Sequence, residues 1–184
     1  TLDIVGRTRS VAIIDLDADG FQDIVVTTQR AAPSLWRNQG DETFEFAPLR
    51  GVTQPAYSMN WADLDQDGDL DLVAASYDAE MERIDASYLL DGGSGIYYYE
   101  NQDGEFIPTR LADRSQALAV YFPDVNGDGL WDIAVGNDFA ELDRYWLRSG
   151  QEWLETIPFD VISHSTMSFA GADVQNDGSI ELYA

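Results

Sequence analysis

Four short stretches of the sequence place oxygen-bearing side chains at alternating positions, each followed by a glycine. The first is DLDADGFQD, in which Asp15, Asp17 and Asp19 precede Gly20, and Asp23 closes the stretch. Carboxylates this close repel one another unless a cation or a proton neutralises them. Hard divalent cations such as calcium bind about six to eight oxygen atoms at ~2.3–2.6 Å, supplied by carboxylates, carbonyls and water. The stretch therefore predicts a cation-binding loop of nine residues.

The same pattern recurs three times, and we number the four stretches loops 1 to 4 and the positions within each from its first aspartate. Side chains at positions 1, 3, 5 and 9 would bind the ion, position 9 through both oxygens, and position 7 would offer its backbone carbonyl. Glycine at position 6 permits the sharp turn. The predicted ligands are Asp15, Asp17, Asp19, Phe21 and Asp23 in loop 1; Asp63, Asp65, Asp67, Asp69 and Asp71 in loop 2; Asp124, Asn126, Asp128, Leu130 and Asp132 in loop 3; and Asp173, Gln175, Asp177, Ser179 and Glu181 in loop 4. Loop 4 is expected to bind most weakly, because Gln and Glu are longer than the usual ligands.

The flanking residues separate these loops from EF-hands, which end in glutamate at position 12 and lie between helices. Position 12 here is apolar and lies in a β-prone run, as Val26, Ala74, Val135 and Ala184. The chain has no cysteine and one histidine, His164, so sites for softer metals are disfavoured. Calcium is preferred over magnesium, since a carboxylate-rich cage with variable ligands suits the larger ion. Three strong calcium sites and a fourth, weaker one are therefore expected.

The spacing of the loops predicts a repeated structural unit. The leading aspartates are 48, 61 and 49 residues apart, which indicates a unit of roughly fifty residues with an insertion at 77–93. An apolar segment precedes and follows each loop, and an aromatic hairpin segment comes next in the first three repeats, around NQGD in the first and NQDG in the second. Four short strands per unit are typical of a propeller blade, although a β-sandwich of short strands remains the alternative. We predict an all-β β-propeller forming one partial domain over 1–184, with repeats at about 6–50, 51–110, 111–160 and 161–184, the last incomplete.

Composition limits the classes of partner. The 184 residues carry a formal net charge of −24, which disfavours nucleic acid and anionic membrane surfaces. Hydrophobic residues make up 45%, as in a folded globular protein. No apolar run approaches the ~18 residues that a membrane-spanning helix needs.

The repeat resembles a known family. An apolar strand, D-x-D-x-D-G-x-x-D and a second apolar strand are similar to the FG-GAP/VCBS repeat of integrin-α-like β-propellers. SLWRNQGDETFEF resembles the following segment in bacterial VCBS proteins and in the cartilage acidic protein family, whose Asn-Asp-Phe segment matches Asn137, Asp138 and Phe139. The resemblance implies calcium in the loops, usually seven blades, and a role in binding or adhesion outside the cell or in the cell envelope.

The extent of the repeat predicts that blades are missing from this chain. TLDIV at residues 1–5 resembles the last strand of a preceding blade, and the fourth repeat stops at Ala184 after two strands. About three and a half blades are therefore present. Because an open stack leaves sheet edges exposed, we expect the remaining blades to come from the same or another chain.

Signals for catalysis are weak. His164 lies between serines, but a nucleophile needs a base that the fold, not sequence adjacency, positions. Packing between blades, rather than stacking on sugars, is the expected role of the aromatic residues Trp36, Tyr97–Tyr99, Trp146 and Trp153. Trp131 is the best exposed candidate for stacking on a sugar. The insertion at 77–93 is the expected recognition loop.

We therefore predict a non-catalytic interaction module outside the cytoplasm that binds a protein or a glycan. The alternatives are a structural subunit of a cell-envelope assembly and a propeller fragment of a polysaccharide lyase. The absence of lysine and the scattered arginines disfavour the lyase.

Overall fold

The computed structural model describes residues 2, 4, 6–83, 94–138, 141–178 and 180–184, which form fourteen β-strands and one short helix. The elements are β1 Thr8–Ile14, β2 Asp23–Thr28, β3 Ser34–Asn38, β4 Phe44–Pro48, β5 Ser58–Ala62, β6 Asp71–Ala75, α1 Asp78–Glu82, β7 Ile96–Gln102, β8 Glu105–Ala112, β9 Ala117–Tyr121, β10 Ile133–Asn137, β11 Arg144–Ser149, β12 Glu152–Thr156, β13 Ala170–Ala172 and β14 Glu181–Tyr183.

The strands form four separate antiparallel sheets, each made from consecutive strands. Sheet 1 has the order β1-β2-β3-β4, sheet 2 β5-β6-β7-β8, sheet 3 β9-β10-β11-β12, and sheet 4 contains β13 and β14. Among the described strands no sheet closes into a barrel. The prediction of an all-β fold built from four-stranded blades is confirmed, with two strands of the last blade present. The sheets lie at 8–48, 58–112, 117–156 and 170–183; the division of the chain into one domain with the predicted repeat boundaries stays a prediction.

The sheets pack face to face in succession. The first strands of sheets 1, 2 and 3 contact one another in chain order. One apolar core lies between sheets 1 and 2 and includes Val25, Leu35, Leu72 and Tyr99. A second core lies between sheets 2 and 3. Sheet 2 is thus covered on both faces, an arrangement that blades have and that a sandwich of two sheets lacks.

Burial on both faces explains the apolar runs that follow the loops. Every residue of β6 and of β10 is buried, and β2 has one half-buried residue. β6 belongs to sheet 2, which is covered on both faces, so it has no solvent-facing side and its sequence reads as a continuous apolar segment rather than an alternating one. These second strands hold the ends of the acidic loops in place.

The topology separates two ends of the molecule. In each of the three four-stranded sheets, the connection between the first and second strands lies at the same end as the hairpin between the third and fourth. We call this the acidic end, because it carries loops 1 to 4. The other connections lie at the opposite end, where α1 follows β6.

Some sequence-based predictions fall outside the described residues. They are residues 84–93 of the predicted insertion, Phe139 of the Asn-Asp-Phe segment, residues 1, 3 and 5 of TLDIV, and Ser179 of loop 4.

Candidate cation sites at the acidic end

The four loops share one backbone path. Position 4 has a positive φ in every loop, at Ala18 (56°), Gln66 (66°), Gly127 (74°) and Asn176 (57°). The glycine at position 6 also has a positive φ, between 83° and 104°. L-residues with a side chain rarely adopt such values, so the sequence pattern and the backbone agree at position 6. The loops are therefore structural repeats, including loop 4.

The carboxylate at position 1 organises each loop. In loop 1, the Asp19 N–H donates to Asp15 Oδ1 at 3.1 Å and the Gly20 N–H donates to Asp15 Oδ2 at 3.0 Å. Loops 3 and 4 repeat both bonds, and loop 2 repeats the bond from its glycine. These bonds fold the loop back on itself, so the side chains at positions 1, 3 and 5 face one region.

Loops 1 and 2 bring three carboxylates together. One oxygen from each of positions 1, 3 and 5 lies within 4.8 Å of the others, in Asp15, Asp17 and Asp19 and again in Asp63, Asp65 and Asp67. Oxygens that share one calcium ion at ~2.3–2.6 Å are separated by at most about 5 Å, so both clusters have the right dimensions. These two loops could each hold a metal ion.

Loops 3 and 4 carry an amide where loops 1 and 2 carry the carboxylate of position 3. Asn126 Nδ2 donates to Asp128 Oδ2 at 2.9 Å, and Gln175 Nε2 donates to Glu181 Oε1 at 3.0 Å. The amide thus supplies a hydrogen-bond donor to a neighbouring acid and lowers the negative charge of the loop by one. Cation binding at the predicted ligands of these two loops stays a prediction.

Loop 2 contains acceptors without a donor. Asp63 Oδ1 and Asp69 Oδ1 are buried, and the described residues offer neither atom a hydrogen bond. A buried, unpaired acceptor costs about 1–3 kcal/mol, and more when it is charged. A cation among these oxygens would remove that cost, so the residues of loop 2 fit the predicted ion.

The pKa values of two aspartates in loop 2 are raised by burial and by the repulsion among its carboxylates. Burial, followed by repulsion from Asp67, Asp65 and Asp63, raises the pKa of Asp69 to about 6. Burial and the charge of Asp67 also raise the pKa of Asp65, and this effect exceeds the opposing hydrogen bond from the Asp67 N–H. Without a cation, loop 2 therefore holds protons more tightly than isolated aspartates do.

The acid at position 9 has a second role that sequence reasoning missed. Asp71 is fully buried, its Oδ2 accepts a hydrogen bond from the Leu64 N–H at 3.0 Å, and its Oδ1 accepts one from the Asn101 N–H on β7 at 2.9 Å. Asp132 is bound in the same way by the N–H groups of Val125 and Arg148. The acid therefore connects its loop to the third strand of the sheet, and its predicted ligation through both oxygens stays a prediction.

The corresponding acids of loops 1 and 4 vary this arrangement. Asp23 Oδ1 accepts a hydrogen bond from the Asn38 N–H at 2.8 Å, whereas its Oδ2 is buried without a hydrogen-bond partner among the described residues. Glu181 Oε2 accepts a hydrogen bond from the Val174 N–H at 2.8 Å. Sheet 4 has no described third strand, and the two hydrogen bonds of this acid, from the Val174 N–H and from Gln175 Nε2, both come from its own loop.

The position 7 residues and the aromatic candidates differ in accessibility. Phe21 and Leu130 donate their N–H groups to the position 5 aspartates at 2.8 Å; ligation by their carbonyl groups stays a prediction. Trp131 is 49% exposed, whereas Tyr98, Tyr99 and Trp146 are buried in the cores between sheets. For those three, packing between blades is the observed role.

Comparison with known proteins agrees with this geometry. The FG-GAP-like repeat family matches residues 15–74 and 124–184, and each match begins at the first aspartate of a loop and contains two loops. The match does not test the closer likeness to cartilage acidic proteins, which stays a prediction. No curated protein is similar enough to be matched to the chain. With about two thirds of its residues in these two matches, the chain belongs to the FG-GAP-like repeat family.

Proposed function

We propose that this chain is a calcium-stabilised, non-catalytic interaction module that works outside the cytoplasm. The observation that carries the proposal is the convergence of carboxylates at the acidic end, with buried and unpaired oxygens in loop 2. FG-GAP-like repeats in successive blade-like sheets are in keeping with a propeller-like interaction module.

Calcium would act by stabilising the blades. Positions 1, 3 and 5 would hold the ion, and the position 9 acid, anchored to the third strand, would keep the loop at the right distance from the sheet. A bound ion would compensate the repulsion among the carboxylates and so connect the first two strands. At a calcium concentration ten times the dissociation constant, one site adds about 1.4 kcal/mol to the free energy of unfolding.

Recognition of a partner is assigned to the opposite end. The connections there differ from sheet to sheet in length and composition, whereas the loops at the acidic end repeat. Arg9 of β1 holds two of these connections in place. It forms an ion pair with Glu80 of α1, between β6 and β7, and its guanidinium lies 5.2 Å from the centre of the Tyr57 ring, between β4 and β5. Variable loops on a rigid scaffold commonly carry binding function, and a protein or a glycan is the proposed partner.

The cation chemistry supports the proposed location outside the cytoplasm. Extracellular calcium modules bind at about 0.1–1 mM, which suits exposed loops such as these and would leave them empty at cytosolic calcium levels. The described part of the chain has no helix long and apolar enough to cross a membrane.

A calcium titration followed by thermal unfolding tests the proposal. Calcium should raise the melting temperature of cation-stripped protein, and EGTA should reverse the rise. The loop 2 variant Asp67→Asn should lose part of the shift, whereas Asp160→Asn, an exposed acid outside the loops, should keep it. A melting temperature that is unchanged by calcium and by EGTA would contradict the proposal.

A further inference from the structure

A cavity of about 410 Å³ lies between sheets 1 and 2 at the acidic end, and we call it the inter-sheet groove. Its apolar lining includes Leu35, Leu49 and Phe106. Four acids and one arginine also line it: Asp15, Asp17, Asp69, Asp103 and Arg37. Negative charge beside an apolar wall suits a cation that is carried on an apolar stem.

The arginine compensates the acids on one side of this groove. Arg37 forms an ion pair with Asp17 of loop 1. On the other side, the carboxylates of Asp69 and Asp103 accept no hydrogen bond and form no ion pair within the described part of the chain. The predicted calcium ligands do not include these two carboxylates, because position 7 would offer its backbone carbonyl and Asp103 lies in the hairpin between β7 and β8.

The equivalent place between sheets 2 and 3 is filled by the chain itself. Arg148 is 8% exposed, and its guanidinium lies 4.9 Å from the centre of the Trp153 ring. It also interacts electrostatically with Asp65 of loop 2 and with Tyr98 of β7. An arginine of sheet 3 thus lies between the two sheets, on an aromatic ring and close to an acid of the preceding loop.

The strand register shows which of these residues change in the inter-sheet groove. Arg148 is paired with Trp153 in the hairpin of sheet 3, and Asn101 is paired with Phe106 at the same positions of sheet 2. Asn101 and Arg148 also donate the equivalent N–H groups to the position 9 acids of their sheets. The aromatic ring is therefore kept in the inter-sheet groove, whereas a shorter, neutral asparagine replaces the arginine.

The acids follow the opposite pattern. Asp69 and Asp103 of sheet 2 have Leu130 and Gly150 as their counterparts in sheet 3. The sheet that supplies an arginine thus has no acid at these two positions, and the sheet that lacks the arginine has two. This exchange leaves the cation of the inter-sheet groove to be supplied from outside the two sheets.

From this pattern we propose that the inter-sheet groove binds an arginine side chain of a partner protein. The methylene stem packs along Leu35 and Leu49, and the guanidinium lies on Phe106. Asp69 and Asp103 accept its hydrogen bonds. A planar guanidinium binds carboxylates through paired hydrogen bonds and stacks on rings, which favours arginine over lysine. The inference goes beyond the proposed function, because it gives the acidic end a binding role in addition to that of the opposite end.

Titration with a short peptide tests the inference. The probe is acetyl-Gly-Gly-Arg-Gly-Gly-amide, added to the isotope-labelled chain in calcium and physiological salt and followed by NMR. Binding should be saturable, and the shifted backbone amides should be concentrated around Asn101, Asp103 and Phe106. The matched peptide with citrulline in place of arginine has nearly the same shape without the charge, and it should bind about tenfold more weakly.

Two variants test the groove from within the chain. Asn101→Arg gives sheet 2 the arginine that sheet 3 already carries, so it should fill the groove and weaken binding of the peptide by about tenfold or more. Asp103→Asn removes one acid at a turn residue with a φ of 54°, which asparagine tolerates, and should weaken binding about threefold. Asp160→Asn, an exposed acid outside the groove, is the matched control and should bind the peptide as the wild type does.

The calcium titration described above is carried out without the peptide, so this inference and the proposed function can fail independently. The inference is overturned if the arginine peptide does not bind saturably or if the citrulline peptide binds equally well. Unchanged binding in Asp103→Asn would overturn it as well, and this variant serves even if Asn101→Arg does not fold. Shifts spread over all the acidic loops would also contradict it, because they would indicate general attraction to a chain with a net charge of −24.

Discussion

The carboxylate of Asp71 binds the backbone of Asn101, thirty positions along the chain, with 2.9 Å between Oδ1 and the amide nitrogen. The other oxygen accepts hydrogen bonds from the Leu64 N–H and the Tyr98 hydroxyl, at 3.0 and 3.2 Å. The acid that closes loop 2 is thus saturated by donors from the loop and from the third strand. It therefore belongs to the sheet as much as to the cation loop, and removing it should have a different effect from removing the other loop acids.

We predict that Asp71→Asn lowers the free energy of unfolding both with and without calcium. An amide at this position has one acceptor oxygen in place of two, so at least one buried N–H loses its partner, at a cost of about 1–3 kcal/mol. Urea unfolding of cation-stripped and calcium-loaded protein measures the loss. Asp67→Asn, in the exposed part of the same loop, is the matched control and should reduce stability only in calcium. Equal behaviour of the two variants would contradict a separate structural role for Asp71.

The stability of the cation-free protein should fall as the pH rises from about 4 to about 6. Burial is the main reason why the pKa values of Asp69 and Asp71 rise to about 6, above the ~3.9 of an aspartate in an unfolded chain. In this window the folded protein binds more protons than the unfolded chain, so the free energy of unfolding decreases with increasing pH. Burial also raises the pKa of Asp23 and Asp132, which adds to the same trend.

Calcium should reverse this trend, because the ion binds the ionised carboxylates and competes with protons. Urea unfolding of stripped and calcium-loaded protein at several pH values measures both slopes. The prediction fails if the stripped protein becomes more stable across this window, or if calcium leaves the slope unchanged.

The repeated loops could be predicted from the sequence because their information is local. Alternating acids, the glycine at position 6 and the apolar runs on both sides are all contained in about sixteen consecutive residues. The partners of the position 9 acids are not local. Asn38, Asn101 and Arg148 are 15, 30 and 16 positions away, and each contributes a backbone N–H, so the identity of its side chain gives no signal.

Side-chain burial at position 7 is a second feature that spacing could not reveal. The sequence assigns Asp69 to a backbone carbonyl position, yet its carboxylate is partly buried near the hairpin residue Asp103. This environment depends on how β7 and β8 fold back beside the loop. Helix α1 did carry a local signal, because DAEME is rich in residues that favour helices.

The junction between sheets 1 and 2 should tolerate no side chain at Gly51. This residue has a φ of 86°, and a Cβ atom there would lie 1.9 Å from the backbone oxygen of Phe106. The neighbouring Arg50 carbonyl accepts a hydrogen bond from the Phe106 N–H at 2.9 Å, so the backbone cannot move away without breaking a contact between the sheets. Gly51→Ala should therefore reduce the free energy of unfolding by about 2–4 kcal/mol.

A second glycine provides the control for this prediction. Gly104 has a nearly identical φ of 84°, but a Cβ atom there would meet nothing within 4 Å. Gly104→Ala should cost only the local backbone strain of about 1–2 kcal/mol. Urea unfolding of the two variants separates the cost of the steric clash at Gly51 from the cost of the strained backbone that both positions share. Equal losses in the free energy of unfolding would contradict a close approach of Gly51 to the Phe106 backbone.

Loop 4 should bind calcium more tightly when its amide at position 3 is replaced by an acid. Gln175→Asp gives this loop a carboxylate at the position where Asp17 and Asp65 contribute to the clusters of loops 1 and 2. The change also removes the hydrogen bond from Gln175 Nε2 to Glu181, so the stripped variant should be less stable than the wild type. Calcium should then raise its melting temperature by more than it raises that of the wild type, and isothermal titration should show the gain as added or tighter binding. Gln151→Asp, which adds the same charge in the exposed hairpin of sheet 3, is the matched control and should leave calcium binding unchanged. A variant of loop 4 that responds to calcium no more than this control would show that the loop lacks the remaining ligands of a cation site.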